Sequence, residues 1–171
     1  MSDVLIRPAN SEDLPRLTVI YNHYVVNTPI TFDVEPYTVE RRASWFQQFA
    51  GTGRHRLLVA EAHGLVVGYA GTTRFRPKPA YDTTVETTIY LSSEAAGKGV
   101  GSRLYGALFE SLANEDIHRI VAGYTIPNPA SRALHDRFGF QLVGIFHENG
   151  RKFGRYWDVA WSERPLRLEG Q

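Results

Sequence analysis

The stretch TVETTIYLSSEAAGKGVGSRL, residues 84–104, begins as a strand, collapses into glycines and resumes as a helix. Its first eight positions alternate: Val85, Thr87, Ile89 and Leu91 share one face, and Glu86, Thr88 and Tyr90 share the other. Three glycines follow close together, at 97, 99 and 101, and then Leu104, Leu108 and Leu112 recur at four-residue spacing, which predicts a helix from about Gly101 to Asn114. HRIVAGYT (118–125) reads as the next strand. Strand, glycine turn, helix and strand make a crossover unit, which sets two strands parallel with the helix on one face of the sheet.

The rest of the chain is not a repetition of that unit. VLIRPA (4–9) reads as a first strand, and Ser11 before Glu12 and Asp13 reads as the cap and acidic first turn of a helix running to about Tyr24. NTPITFDVEPYT (27–38) reads as an ordered loop, and Thr38 as the cap of a helix carrying Trp45, Phe46 and Phe49. RLLVAEA (56–62) and VVGYAGTT (66–73) flank a turn at Gly64, the pattern of an antiparallel hairpin. NPASRALHDRFGF (128–140) has Asn128 as cap, Pro129 at its first position and Gly139 past its end. Strands near 142–147 and 156–162 close the chain. The predicted order, β-α-α-β-β-β-α-β-α-β-β, is a mixed, mostly antiparallel α/β sheet in one domain, residues 1–171.

Composition excludes several classes of chemistry. Without cysteine there is no disulfide framework, thiolate metal site or cysteine nucleophile. His23, His55, His63, His118 and His147 form no spaced ligand set, so no metal is expected. Nineteen basic against 18 acidic side chains, with no block of one sign, give no electrostatic footprint for nucleic acid. No apolar run is long enough to cross a membrane, and the N-terminus lacks a secretory pattern, so a cytoplasmic location is expected.

A helix mouth offers unpaired N–H groups and partial positive charge, and glycines keep side chains out of the approach, so the 97–101 loop is suited to phosphate, with Lys98 and Arg103 adding charge. A tight structural turn would use the same glycines. In GKGVGS the lysine is misplaced for a Walker A loop, and Ser102 stands where a dinucleotide fingerprint needs its third glycine.

Two motifs together carry a more specific likeness. Gly99 and Gly101 fit the Gln/Arg-x-x-Gly-x-Gly/Ala signature of the GCN5-related N-acetyltransferases, with Ala96 in the Gln/Arg position, and NPASRALHDRFGF resembles that family's downstream helix. Within the family the chain most resembles phosphinothricin and methionine sulfoximine acetyltransferases. The likeness runs through IYNHYVVNTPITFDVEP (20–36), FRPKPAYDTTVETTIYL (75–91), GKGVGSRL (97–104), LHDRFGF (134–140) and GRKFGRYWDVAW (150–161).

The resemblance implies the acyl-coenzyme A N-acyltransferase fold, acetyl-coenzyme A as co-substrate without metal, a small amino acid or analogue as acceptor, and a homodimer. It implies coenzyme contacts from Leu91, Ser92, Lys98, Gly99, Val100, Gly101, Ser102, Asn128 and Ser131, with oxyanion donors among the N–H groups of Leu91 and Ser92. It places Glu86 and His135 at the chemistry. Amine attack on a thioester needs a base and a proton for the departing sulfur. Glu86 is the candidate base, directly or through water, or else a partner of Arg76. His135, seven residues after Asn128 and so on nearly the same helix face, is a second base, the acid for the thiolate, or a surface residue. Arg76 is the expected clamp for an acidic substrate group, with Arg74 as its decoy. Phe32, Tyr81, Tyr90, Tyr156 and Trp157 either wall the substrate pocket or belong to the core. Lys152 and Arg155 either approach a ligand or lie in a solvated turn. Another acceptor amine (an antibiotic, a polyamine or a protein N-terminus) and a non-catalytic acyl-coenzyme A sensor are the competing expectations.

Overall fold

The computed structural model describes residues 4–167; the first three and last four residues of the expected domain lie outside the described residues. The elements follow the predicted order: β1 (Val4–Pro8), α1 (Leu14–Asn27), α2 (Val39–Phe46), β2 (Leu57–Ala62), β3 (Leu65–Arg74), β4 (Thr84–Leu91), α3 (Val100–Ser111), β5 (Arg119–Ile126), α4 (Pro129–Arg137), β6 (Gln141–Lys152) and β7 (Arg155–Pro165). One sheet runs β1-β2-β3-β4-β5-β7-β6. Among the described residues its only parallel pair is β4 with β5, the crossover the glycine loop demanded.

Alternation along β2 sorts the core into two layers. Leu58 and Ala60 pack with Leu104, Tyr105 and Leu108 of α3. Leu57 and Val59 pack with Leu17 and Ile20 of α1, against which Trp45 and Phe46 of α2 close. A strand buried on both faces in this way reads as the unbroken apolar run LLVA. In β3 the alternation breaks at a bulge, where the register shifts beside Gly68.

The first helix corrects one expectation. Asn10, not Ser11, is the cap: its side chain accepts from Glu12 N–H, while the Asp13 carboxylate accepts from Asn10 N–H, closing a capping box on a short 3-10 turn before α1. Asp13 also takes two hydrogen bonds from Arg7, at 2.8 Å each, and this partner holds its pKa below the usual carboxylate value. Thr38 and Asn128 cap as expected, accepting from Arg41 N–H and Ser131 N–H. Helix α3 starts one residue before Gly101, at Val100, and ends at Ser111 rather than Asn114.

The final hairpin is longer than 142–147 and 156–162. Its strands meet at a two-residue turn, Phe153-Gly154, with φ of 53° and 75°; His63-Gly64 joins β2 to β3 in the same way. Turns with both central residues at positive φ match the twist of a hairpin. An irregularity between Phe146 and Gly150, with Glu148 at φ 51°, interrupts the apolar pattern that marks the strand in sequence.

Gly106 sits inside α3 with nothing within 4 Å of where a Cβ would lie. Gly106→Ala is therefore expected to stabilise the fold by about 0.5–1 kcal/mol through helix entropy alone, raising the thermal midpoint by about 2 °C. Calorimetric melts of the two proteins check this.

Candidate active site

The site begins where two strands part. β4 and β5 pair only at Thr84/Arg119, Val85/Ile120 and Glu86/Val121. Beyond Glu86 they diverge, β5 staying with β7 along its whole length and β4 with β3. The parting leaves the β5-facing edge of β4 without a ladder. Ser92 N–H donates to Val67 O of β3 at 2.8 Å, and the Leu91 carbonyl points the other way, accepting from the Tyr24 hydroxyl at 2.6 Å. By strand alternation, the N–H groups of Ile89 and Leu91 face the opened side. The expectation of an oxyanion donor at Ser92 N–H is thus corrected: that group is spent on the sheet.

A cavity of about 210 Å³ fills the fork. Thr87–Leu91 form one wall and Ala122, Gly123 and Tyr124 the other, while Asn128, Ser131 and His135 come from α4 and Ala96 and Gly97 from the loop. Of the expected coenzyme residues, Leu91, Asn128 and Ser131 line this cavity; Ser92, Lys98, Gly99, Val100, Gly101 and Ser102 form the adjoining strand end, loop and first turn of α3. Gly97 and Gly99 have φ of 72° and 78°, and a Cβ at either would meet nothing within 4 Å. The loop is a left-handed bend with open space in front of a helix mouth, a cradle that fits a pyrophosphate. Gly101 differs, being buried against Leu134, Leu91 and Ile89. Arg103 turns away from the loop to donate to the carbonyl of Val4.

Glu86 stands at the apex of the fork, half-buried on the face it shares with Thr88 and Tyr90. Burial raises its pKa above the usual carboxylate value, and the nearby charge of Arg76 partly opposes that. Among the described residues its side chain has no hydrogen-bond or ion-pair partner, so the structural pairing with Arg76 does not form. The decoy resolves as well: Arg74 pairs with Asp82 at 2.9 Å, whereas Arg76 lies over the Phe75 ring, 4.6 Å from its centroid, without a carboxylate. Tyr81 packs edge-on to Phe75, with ring centroids 5.7 Å apart.

His135 lies on the other face. It is 3% exposed, with Nδ1 at 2.7 Å from the Ser131 carbonyl and Nε2 at 3.1 Å from the Tyr105 hydroxyl. A carbonyl only accepts, so Nδ1 carries the proton and Nε2 receives the Tyr105 O–H. Burial lowers the ring's pKa, keeping it neutral, and Tyr124 stacks on it at 5.2 Å.

The remaining substrate candidates are dispersed. Phe32 packs against Gly150, where a Cβ would overlap its ring. Tyr156 is 56% exposed on the last hairpin, beside Arg151, and lines neither the fork nor the Glu86 face. Lys152 is buried and donates to the Thr31 carbonyl at 2.7 Å, and Arg155 covers Trp157 at 3.6 Å. Sequence reasoning missed Tyr24, Tyr105 and Tyr124, which border the cavity. Each sits on an apolar stripe and looks like core until the strands are seen to part. Among the described residues no group of three or more His, Asp or Glu is placed to hold a metal, and no helix is long and apolar enough to cross a membrane.

A mixed sheet forked between its two parallel strands, with a glycine cradle at the following helix, defines an acyl-coenzyme A N-acyltransferase. Residues 6–161 match the family model described as an acetyltransferase (GNAT) domain, and the chain belongs to that family. It is 54% identical over 167 residues to the phosphinothricin N-acetyltransferase of Streptomyces coelicolor, spanning 96% of this chain and 98% of that protein. It is 36% identical to an L-methionine sulfoximine/L-methionine sulfone acetyltransferase of Pseudomonas paraeruginosa, over 94% of each. The crystal structure of a phosphinothricin acetyltransferase from Sinorhizobium meliloti in complex with acetyl-coenzyme A superimposes with a TM-score of 0.89 at 35% identity, covering 98% of this chain and 94% of that one.

Proposed function

We propose that this chain, as one domain over residues 1–171, moves the acetyl group of acetyl-coenzyme A to the α-amino group of a small amino acid or analogue of the phosphinothricin and methionine sulfoximine kind. The observation that carries this reading is Glu86: a half-buried carboxyl with raised pKa and no hydrogen-bond or ion-pair partner among the described residues, at the point where the sheet opens. The coenzyme supplies an activated thioester when bound. Glu86 removes the proton from the acceptor nitrogen, directly or through one water. The free N–H groups of Ile89 and Leu91 face the carbonyl oxygen, where negative charge develops. The 97–101 loop and the mouth of α3 hold the pyrophosphate, with Lys98 exposed beside it. Nε2 of His135 accepts from the Tyr105 hydroxyl, which favours Glu86 as the base; in this reading the Tyr105 hydroxyl, at the cavity wall, turns from Nε2 to give its proton to the departing sulfur, and the phenolate is reprotonated from solvent, to which Glu86 passes the proton taken from the amine.

Arg76 is the clamp for the acceptor's acidic group. Arg76→Met is expected to raise the acceptor Michaelis constant at least about tenfold and leave that of the coenzyme unmoved. It also removes the charge that holds Glu86 down, so the acid limb of the kcat/KM profile moves to higher pH. A profile that stays in place would separate Arg76 from Glu86.

The acceptor is found by a thiol-release screen over amino acids and analogues, phosphinothricin and methionine sulfoximine included. Turnover confined to polyamines or peptides would reassign the acceptor, and coenzyme binding without any turnover would make the chain a sensor. We also propose a cytoplasmic homodimer. Its need for an intracellular metabolite supports the first term. The exposed apolar side chains on edge strand β6, Leu142, Val143, Ile145 and Phe146, support the second.

A further inference from the structure

The face of the sheet that carries Glu86 continues across β5 onto β7. Glu86 pairs with Val121 of β5. Gly123 follows Val121 by one alternation and pairs directly with Trp161 of β7. The intervening residues point to the other layer, where Ala122 packs with α3 and Tyr124 stacks on His135. Gly123 and Trp161 therefore belong to the Glu86 face.

The indole occupies the place of the side chain that Gly123 lacks. A Cβ there would lie 2.9 Å from Trp161 Cζ2 and 3.0 Å from Cε2, well inside carbon–carbon contact distance. The six-membered ring of Trp161 thus lies across β5. Phe75 comes from the opposite side, two residues beyond Thr73, which pairs with Glu86. The centroids of the Phe75 and Trp161 rings are 6.1 Å apart, with the planes at 68°. Strands β3 and β7 stand three spacings apart, about 14 Å, so the rings meet by leaning over β4 and β5. Register sets Phe75 one step before Glu86 along the strand and Trp161 one step after it. Together they span the level of the carboxyl.

Tyr81 braces Phe75, and Arg76 lies on its face. The other charged groups of this face are Arg119, one step before Val121 on β5, and Glu163, level with Val121 on β7. Asp33 and Arg42 border Thr88 and Tyr90 from the α1–α2 layer. The charge that acts on Glu86 is that of Arg76.

We propose that Trp161 is a positioning residue of the transfer: seated on Gly123 and meeting Phe75, its indole closes an aromatic arch over Glu86 that keeps bulk water from the base. The inference rests on the reading of Glu86 as the base and adds the group that shields it. A carboxylate shut from water holds its proton more tightly and is the stronger base once ionised.

With glutamate labelled with carbon-13 at Cδ, the NMR resonance missing from Glu86→Gln is that of Glu86. Its titration midpoint in Trp161→Leu is expected at least about 0.5 pH unit below that of the unaltered protein, because water regains the carboxylate. The kcat falls about tenfold, while the coenzyme Michaelis constant holds, since Trp161 does not border the coenzyme cavity. Gly123→Ala keeps the indole but pushes it off β5, and lowers the midpoint in the same direction. Added to Trp161→Leu it produces no further fall, the ring it displaces being gone. A midpoint that stays put in folded Trp161→Leu overturns the proposal, as does one that falls with kcat unchanged. Should Trp161→Leu fail to fold, midpoint and kcat in Gly123→Ala decide alone. Turnover undiminished in Glu86→Gln would instead overturn the reading of Glu86 as base, and the midpoint would still decide whether the arch shields it.

Discussion

Replacing Glu86 with glutamine is expected to lower kcat/KM for the acceptor about a hundredfold or more, with coenzyme affinity unchanged. Loss of a positioned general base costs about 10²–10⁴ in rate, and Glu86 lies on the opposite face of β4 from the helix α4 residues that border the coenzyme cavity. The acid limb of the pH profile should vanish with the carboxyl. The same substitution has the opposite effect on the fold. Burial holds the Glu86 pKa above its ordinary value, so the folded chain keeps that proton more tightly than the unfolded one. Stability is therefore lost as pH rises from the ordinary carboxylate value through the raised one. Glu86→Gln should melt higher than the unaltered protein at neutral pH, with the difference closing below about pH 4. A variant that is slower and no more stable would show that burial exacts no cost at this position, and a variant as fast as the original would take Glu86 out of the mechanism.

The architecture was legible because its strongest signals are local. LLVA is apolar on both faces because helices cover both, and the alternation of Val85, Thr87, Ile89 and Leu91 against Glu86, Thr88 and Tyr90 is the division between the α3 layer and the α1–α2 layer. What misled were places where side chains replace the expected backbone logic. Asn10 outcompetes Ser11 as cap because Asp13 answers it from the third position, and Arg7 locks that acid in place. The last hairpin hides its length because Phe153 takes a positive φ that its side chain does not advertise.

The site was less legible, since much of it is made by absence. Nothing in VETTIYL says that the ladder to β5 ends at Glu86; that follows from β5 holding to β7 along its whole length. Once the strands part, ordinary N–H groups become donors, and tyrosines such as Tyr24 and Tyr105 become cavity wall. Trp161 was invisible for the opposite reason. A tryptophan in DVAWSE reads as strand core, and only the register that seats it on Gly123 carries it toward Glu86.

The second large effect belongs to the glycine cradle. Gly99 caps α3 at φ 78°, a conformation that a β-branched residue adopts only with strain of about 1–3 kcal/mol. Gly99→Val should therefore pull the loop out of its bend, and the N–H groups at the mouth of α3 cease to converge. The expected outcome is a coenzyme dissociation constant raised at least about thirtyfold, with acceptor affinity nearly unmoved. Gly99→Asn separates the two ways in which valine could act. Asparagine tolerates the left-handed region but also puts a side chain into the open space before the helix. If conformation is what matters, asparagine keeps most of the affinity; if clearance matters, it loses about as much as valine. Calorimetry with acetyl-coenzyme A distinguishes these cases. Affinity unchanged in both variants would mean that the pyrophosphate is held elsewhere, and the bend at residues 97–101 would then be only a way of turning a strand into a helix.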